Sequence, residues 1–266
     1  MSQRSLLLLK NEQALLPLSP SKAKKIAVVG WGANDTYAPL ANYMGCGFGS
    51  WSPRLANCSI VTPLMGITHG FPEAEVTYSH GCDVESNDTS GFEAAVAAAK
   101  AADVVVYVGG NRNCEGGQGH GGHVCANSSA CPTHCESEGH DRPDLAMPGV
   151  QTQLLKELHA ANPNVVLAVL TGGPISFGWE AETLPAIITI WYGGQMMGTA
   201  LADALSGVIS PSGRSPFTWP TGLEQVPPEL DMSPSTPPGR TYRYLDGTPL
   251  VSACSSSSSS SSAHFF

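Results

Sequence analysis

The chain has 266 residues, 42% of them hydrophobic and only 13% charged, with a net charge of −9. That length buries one large core or two modest ones. The acidic balance argues against a nucleic-acid partner, because no basic stripe is present to neutralise phosphates. Lys22, Lys24 and Lys25 form the one basic cluster and read as a solvated loop ahead of a strand.

In chain order, Leu6-Leu7-Leu8-Leu9 is a short apolar run that Lys10 interrupts. It has no small-residue cleavage site and reads as neither a secretory signal nor a membrane span. The expectation is either a cytosolic protein or a chain without its natural N-terminus. Ile26–Gly30, Val104–Val108, Val165–Leu170 and Ala186–Trp191 are continuous apolar runs closed by glycine or polar residues, with Glu75–Tyr78 a weaker fifth. Such runs predict strands covered on both faces. Between them lie helix signals. Ser90 is placed to cap a helix through Phe92, Ala95, Val96 and Ala99, ending near Ala102. Pro148-Gly149 opens a second, through Leu154, Leu155 and Leu158. Gly194–Leu205 is a third, stopped by Gly207. The alternation predicts an α/β fold: a three-layer α/β/α sandwich with a mostly parallel sheet of about five or six strands.

Residues 31–70 and 109–148 read as long loops, and loops this long are usually functional or disordered. The expected divisions are a lead-in over 1–25, the sandwich over 26–220, an irregular Pro-rich extension over 221–250, and a disordered Ser-rich tail over 251–266.

The strongest chemical signal is Cys135-Glu136-Ser137-Glu138-Gly139-His140-Asp141-Arg142, between an apolar strand and a helix start. Carboxylates at the carboxyl end of a parallel strand sit where ligands bind. An acid in a partly apolar pocket there can hold a proton for a leaving oxygen. A solvated loop with a local Glu–Arg pair would carry the same residues. His120, His123, Cys125, Cys131, His134 and Cys135 could close a zinc site, although their spacing fits no common module. Disulfides among Cys114, Cys125, Cys131 and Cys135 are the preferred alternative. The eight cysteines, with sequons at Asn34, Asn57, Asn87 and Asn127, favour an oxidising, glycosylating compartment. Gly30-Trp31-Gly32-Ala33-Asn34 is a weak nucleotide signal, lacking a third glycine and a following helix.

Several segments together resemble glycoside hydrolase family 3, in the second domain of its β-xylosidase-like and β-glucosidase-like members. They are Leu6–Glu12, Lys25–Gly30 with Asn34, Ala41-Asn42-Tyr43, and Thr62–Ile67. Glu138-Gly139-His140-Asp141-Arg142 with Met147-Pro148-Gly149 follows. So do Trp191–Gln195, Ala202-Asp203, Pro211–Arg214 and Thr241–Tyr244.

The resemblance implies a retaining exo-glycosidase acting on β-linked oligosaccharides or aryl glycosides. A barrel-domain aspartate would be the nucleophile and a glutamate of this domain the acid/base, roughly 5 Å apart. Glu138 suits the acid/base position, before Gly-x-Asp-Arg, with Glu136 the fallback; Asp141 and Arg142 would order the loop or contact substrate. No residue here matches the nucleophile, so the resemblance implies a missing barrel partner and little activity for these residues alone. It implies a secretory or extracellular parent, and needs no electron carrier, nucleotide, metal, nucleic acid or membrane. A non-catalytic glycan-binding or partner-docking module is the competing class.

Overall fold

The five apolar runs lie side by side, and a sixth strand joins them. The computed structural model describes residues 1–40, 59–113, 136, 142–228 and 230–250. The strands are β1 (Leu7–Asn11), β2 (Lys25–Val29), β3 (Glu75–Ser79), β4 (Val104–Gly110), β5 (Val165–Leu170) and β6 (Ala186–Thr189). They form one sheet in the order β1-β6-β5-β4-β2-β3. Every pairing is parallel except that of β1 with β6.

Strand β1 was not assigned from sequence, because Lys10 breaks its apolar run. The structure buries Lys10 instead. Leu9 is the extra residue of a bulge, since the pairing passes from Leu8 opposite Ile188 to Lys10 opposite Ile187. The Lys10 ammonium donates to Ala181 O at 2.7 Å and pairs with Glu12 at 3.3 Å. A buried cation thereby meets a carbonyl in the last turn of a short helix, where the helix dipole favours it.

The helices are α1 (Ser2–Ser5), α2 (Pro63–Gly70), α3 (Phe92–Ala101), α4 (Gln151–Ala161), α5 (Trp179–Thr183), α6 (Met197–Ser206) and α7 (Thr241–Tyr244). Because strand side chains alternate, the two faces of the sheet carry two cores. Ile26, Val28, Val104, Val106, Val166 and Ile188 pack with Ile67 of α2 and Leu201 and Leu205 of α6. Ala27, Val105, Leu167 and Ile187 pack on the other side with Phe92 of α3, Leu154 and Leu158 of α4, and Ala181 of α5. This is the three-layer α/β/α sandwich.

Two helix expectations need correction. Ser90 does not cap α3: its hydroxyl bonds Asp88, and Gly91 occupies the N-cap position. Helix α2 lies inside the stretch read as a long loop. Thr62 caps it through the Met65 amide, and Pro63 fills its first position. Its glycine is a contact requirement: a Cβ on Gly66 would stand 2.0 Å from Gly198 O, so α2 and α6 touch backbone to backbone. Gly207 closes α6 in the left-handed conformation at φ +78°, as expected.

Candidate functional site

The parallel strands all deliver their next residues to one edge of the sheet. Trp31 and Asp35 follow β2, Asn111 and Arg112 follow β4, Thr171 and Gly172 follow β5, and Trp191 and Tyr192 follow β6. Glu136 and Arg142 arrive at this edge from the long excursion after β4.

Glu136 is held by its main chain first. It forms a parallel bridge with Asn113, its N–H donating to Arg112 O at 3.0 Å. The Asn113 amide donates to Glu136 O at 2.8 Å. The carboxylate then gathers donors from three strand ends. Oε1 accepts from Asn111 Nδ2 at 2.9 Å and faces Arg142 Nε at 3.3 Å. Thr171 Oγ1 lies 3.1 Å from Oε1 and 2.7 Å from Gly173 O, so its single proton is shared between them. Oε2 accepts from the Gly172 N–H at 2.5 Å and the Tyr192 hydroxyl at 2.6 Å. The Glu136 side chain is 13% exposed and that of Arg142 only 9%. Arg142 also donates from Nη2 to Pro174 O at 2.6 Å.

Burial, reinforced by the Glu136 charge and opposed by Arg142, pushes the Tyr192 phenol well above its ordinary range. Tyr192 therefore stays a neutral donor toward Glu136. Two buried polar atoms beside this cluster, Asn111 Oδ1 and Arg142 Nη1, have no hydrogen-bond partner among the described residues.

A second hub fixes the edge from beneath. Gln151, at the start of α4, is fully buried. Its Oε1 accepts from Gly110 N at 2.9 Å, Tyr107 OH at 3.1 Å and Trp31 Nε1 at 3.3 Å. Its Nε2 donates to Gly110 O at 2.9 Å, Val84 O at 3.0 Å and Pro148 O at 3.2 Å. Gly110 itself takes φ +117°, the conformation that turns the chain out of β4 toward Asn111. Beside it, Arg112 pairs with Asp35 at 3.1 Å and lies over the Trp31 ring.

Of the residues singled out from sequence, Glu136 and Arg142 come together here. Glu138 and Asp141 lie outside the described residues, as do the histidines and cysteines over 114–135. The glycines of Gly30-Trp31-Gly32 serve packing: a Cβ on Gly30 would meet Val108 O at 2.2 Å, and one on Gly32 would meet Leu170 Cδ1 at 2.3 Å. Sequence reasoning gave no role to Asn111, Thr171, Gly172 and Tyr192. The available signal was their place immediately after apolar strand runs.

A six-stranded, mostly parallel sandwich with a buried Glu136–Arg142 pair at the carboxyl edge of its sheet defines an α/β domain of the kind that binds ligands at that edge. Residues 6–250 match the model of the glycosyl hydrolase family 3 C-terminal domain, and the chain belongs to that family. It is 32% identical over 253 residues to a β-xylosidase of Formosa agariphila, covering 94% of this chain and 32% of that protein. It is 33% identical over 255 residues to β-D-xylosidase 3 of Arabidopsis thaliana, covering 92% and 29%. Among solved structures, a family 3 exo-β-xylosidase in complex with a xylobiose aziridine activity-based probe aligns with a TM-score of 0.75 at 30% identity, over 94% of this chain and 29% of that one. A β-glucosidase from Erythrobacter marinus aligns with a TM-score of 0.67 at 27% identity, over 94% and 33%. The chain thus spans about a third of the length of the curated relatives it matches. Among the described residues no helix is long and apolar enough to cross a membrane.

Proposed function

We propose that this chain is the acid/base-bearing domain of a retaining exo-β-glycosidase of the β-xylosidase type, working with a barrel domain that supplies an aspartate nucleophile. The observation that carries the reading is the gathering of Glu136 and Arg142, which bracket the acidic segment, at the carboxyl edge of the sheet. Glu138 is the proposed acid and then base. Glu136, the alternative, has both oxygens engaged by donors and none free to approach a leaving group. Asp141 and Arg142 order the segment, and the Arg142 bonds to Glu136 and Pro174 support that role.

Retaining chemistry needs two carboxylates roughly 5 Å apart, one attacking the anomeric carbon and one protonating the departing oxygen. These 266 residues offer the second. Alone, the chain should leave 4-nitrophenyl β-D-xyloside at background rates. Fused behind the barrel domain of the Formosa agariphila relative, it should hydrolyse xylobiose. Glu138→Gln should then lower kcat/KM on xylobiose by about 10²–10⁴-fold, and kcat/KM far less on an aryl xyloside whose leaving group needs no proton, while kcat falls on both because deglycosylation loses its base. Ordinary rates from the chain alone, or an intact Glu138→Gln fusion on xylobiose, would overturn the proposal. We place the parent enzyme in the secretory pathway, supported by exposed sequons at Asn34 and Asn87.

A further inference from the structure

We infer that Glu136 is a positioning residue whose carboxylate clamps the acidic segment to the ends of three parallel strands, and so sets where the acid/base works. The inference rests on the reading that this segment carries the acid/base.

Among the described residues, every group that faces the Glu136 carboxylate can donate. Asn111 comes from the end of β4, Thr171 and Gly172 from the end of β5, and Tyr192 from beyond β6. Arg142, six positions on, closes the segment back onto the same oxygen. Holding Glu136 and Arg142 against groups from other strands costs conformational entropy, and needs strong bonds to offset that loss. Charge-assisted bonds to a largely desolvated carboxylate are the strong kind. A neutral amide at this position would turn an NH₂ group toward two of these donors, losing charge and acceptor at almost unchanged volume.

The surrounding backbone is also cut to the carboxylate. A Cβ on Gly172 would stand 3.3 Å from Glu136 Oε2 and 3.2 Å from the Tyr192 ring. A Cβ on Gly173 would stand 3.4 Å from Arg142 Nη2. Gly172 therefore brings its N–H to 2.5 Å without pushing the acid away. Gly172→Ala leaves the charge in place and crowds it, which makes a second, independent probe.

The test is amide hydrogen exchange on the full chain, joined to kinetics of the barrel fusion. Glu136→Gln should speed exchange at Gly172 and over 142–147 by about tenfold or more, with β4 and β5 unchanged. In the fusion it should lower kcat on xylobiose by about 10–100-fold, hold KM within about twofold, and keep the basic limb of the pH profile. Tyr192→Phe and Gly172→Ala should act in the same direction and more weakly, and they carry the test if Glu136→Gln does not fold. Unchanged exchange in Glu136→Gln overturns the inference. So does loss of the basic limb, which would make Glu136 the acid itself. A fusion indifferent to Glu138→Gln sinks the acid/base reading instead, and exchange at Gly172 still decides whether the clamp exists.

Discussion

The two ends of the parallel sheet solve the same problem in opposite ways. At the amino end, polar side chains bond the backbone of neighbouring segments. Asp103 accepts the Lys24 and Lys25 amides, both at 2.9 Å. Asn162 donates to Ala99 O and Ala102 O at the end of α3. At the carboxyl end, buried side chains from separate segments bond one another, as Glu136 does with Asn111, Tyr192 and Arg142. The first arrangement ties the connections between strands and helices to one another through their backbone. The second holds side chains in fixed places at a surface, which stability alone does not require.

If that contrast is sound, substitutions at the carboxyl end should disturb more than those at the amino end. The largest effect is expected for Gln151→Leu. It leaves the Gly110 N–H, the Trp31 indole, the Tyr107 hydroxyl and three carbonyls short of a buried partner. Buried groups left unsatisfied cost about 1–3 kcal/mol each before relaxation, so a net loss of about 3 kcal/mol or more is expected. Urea unfolding of the full chain measures it; a loss below about 1 kcal/mol would reduce the hub to a bystander.

Alkali should act next, and also at this end. Burial pushes the Cys82 thiol up to about 11, the Tyr107 hydroxyl lowering it and Asp83 raising it in part. Burial lifts Tyr107 and Tyr192 well above the ordinary phenol range. All three pKa values are raised by folding, so their contribution is complete below the unfolded values, near 9 for the thiol and 10 for the phenols. It is lost as pH climbs through the folded values. Stability should therefore fall from about pH 9 upward, each group adding a slope of up to ~1.4 kcal/mol per pH unit. Cys82→Ala should flatten the first part of that fall, between about pH 9 and 11. An equally steep decline in Cys82→Ala would remove the thiol from the account.

Legibility followed the same division. The four interior runs announced themselves because a strand covered on both faces must be apolar along its length, whereas β3, the exposed edge strand, gave only the weaker fifth signal. Strand β1 stayed hidden because its burial includes Lys10, whose partners Glu12 and Ala181 O become visible only on folding. Helix α2 was obscured by Gly66 and Gly70, poor helix residues that its contact with α6 rewards. At the site, Glu136 and Arg142 stood out as charges in a sparsely charged chain. Asn111 and Thr171 did not, and Tyr192 did only within the Trp191–Gln195 resemblance and without a role, since the meaning of each lies in a strand end tens of residues away. Those distances are what the topology removes.

Tyr192→Phe sharpens the comparison at one bond. It removes the hydroxyl at Oε2 and leaves that oxygen to the Gly172 amide. A bond to a charged group is worth about 1.5–3 kcal/mol, and relaxation toward Gly172 should keep the loss near the lower figure. Thermal unfolding reads it.

The smallest effect belongs to Asp103→Ala. It strips two backbone amides of their acceptor, yet both bonds are solvent-exposed and water can replace them. A loss of about 0.5 kcal/mol is expected, with amide exchange at Gly172 untouched. Were Asp103→Ala to cost as much as Tyr192→Phe, or to loosen Gly172 from across the sheet, the two ends would not be separable. The contacts around Glu136 would then be one more part of the scaffold rather than a structure held for chemistry.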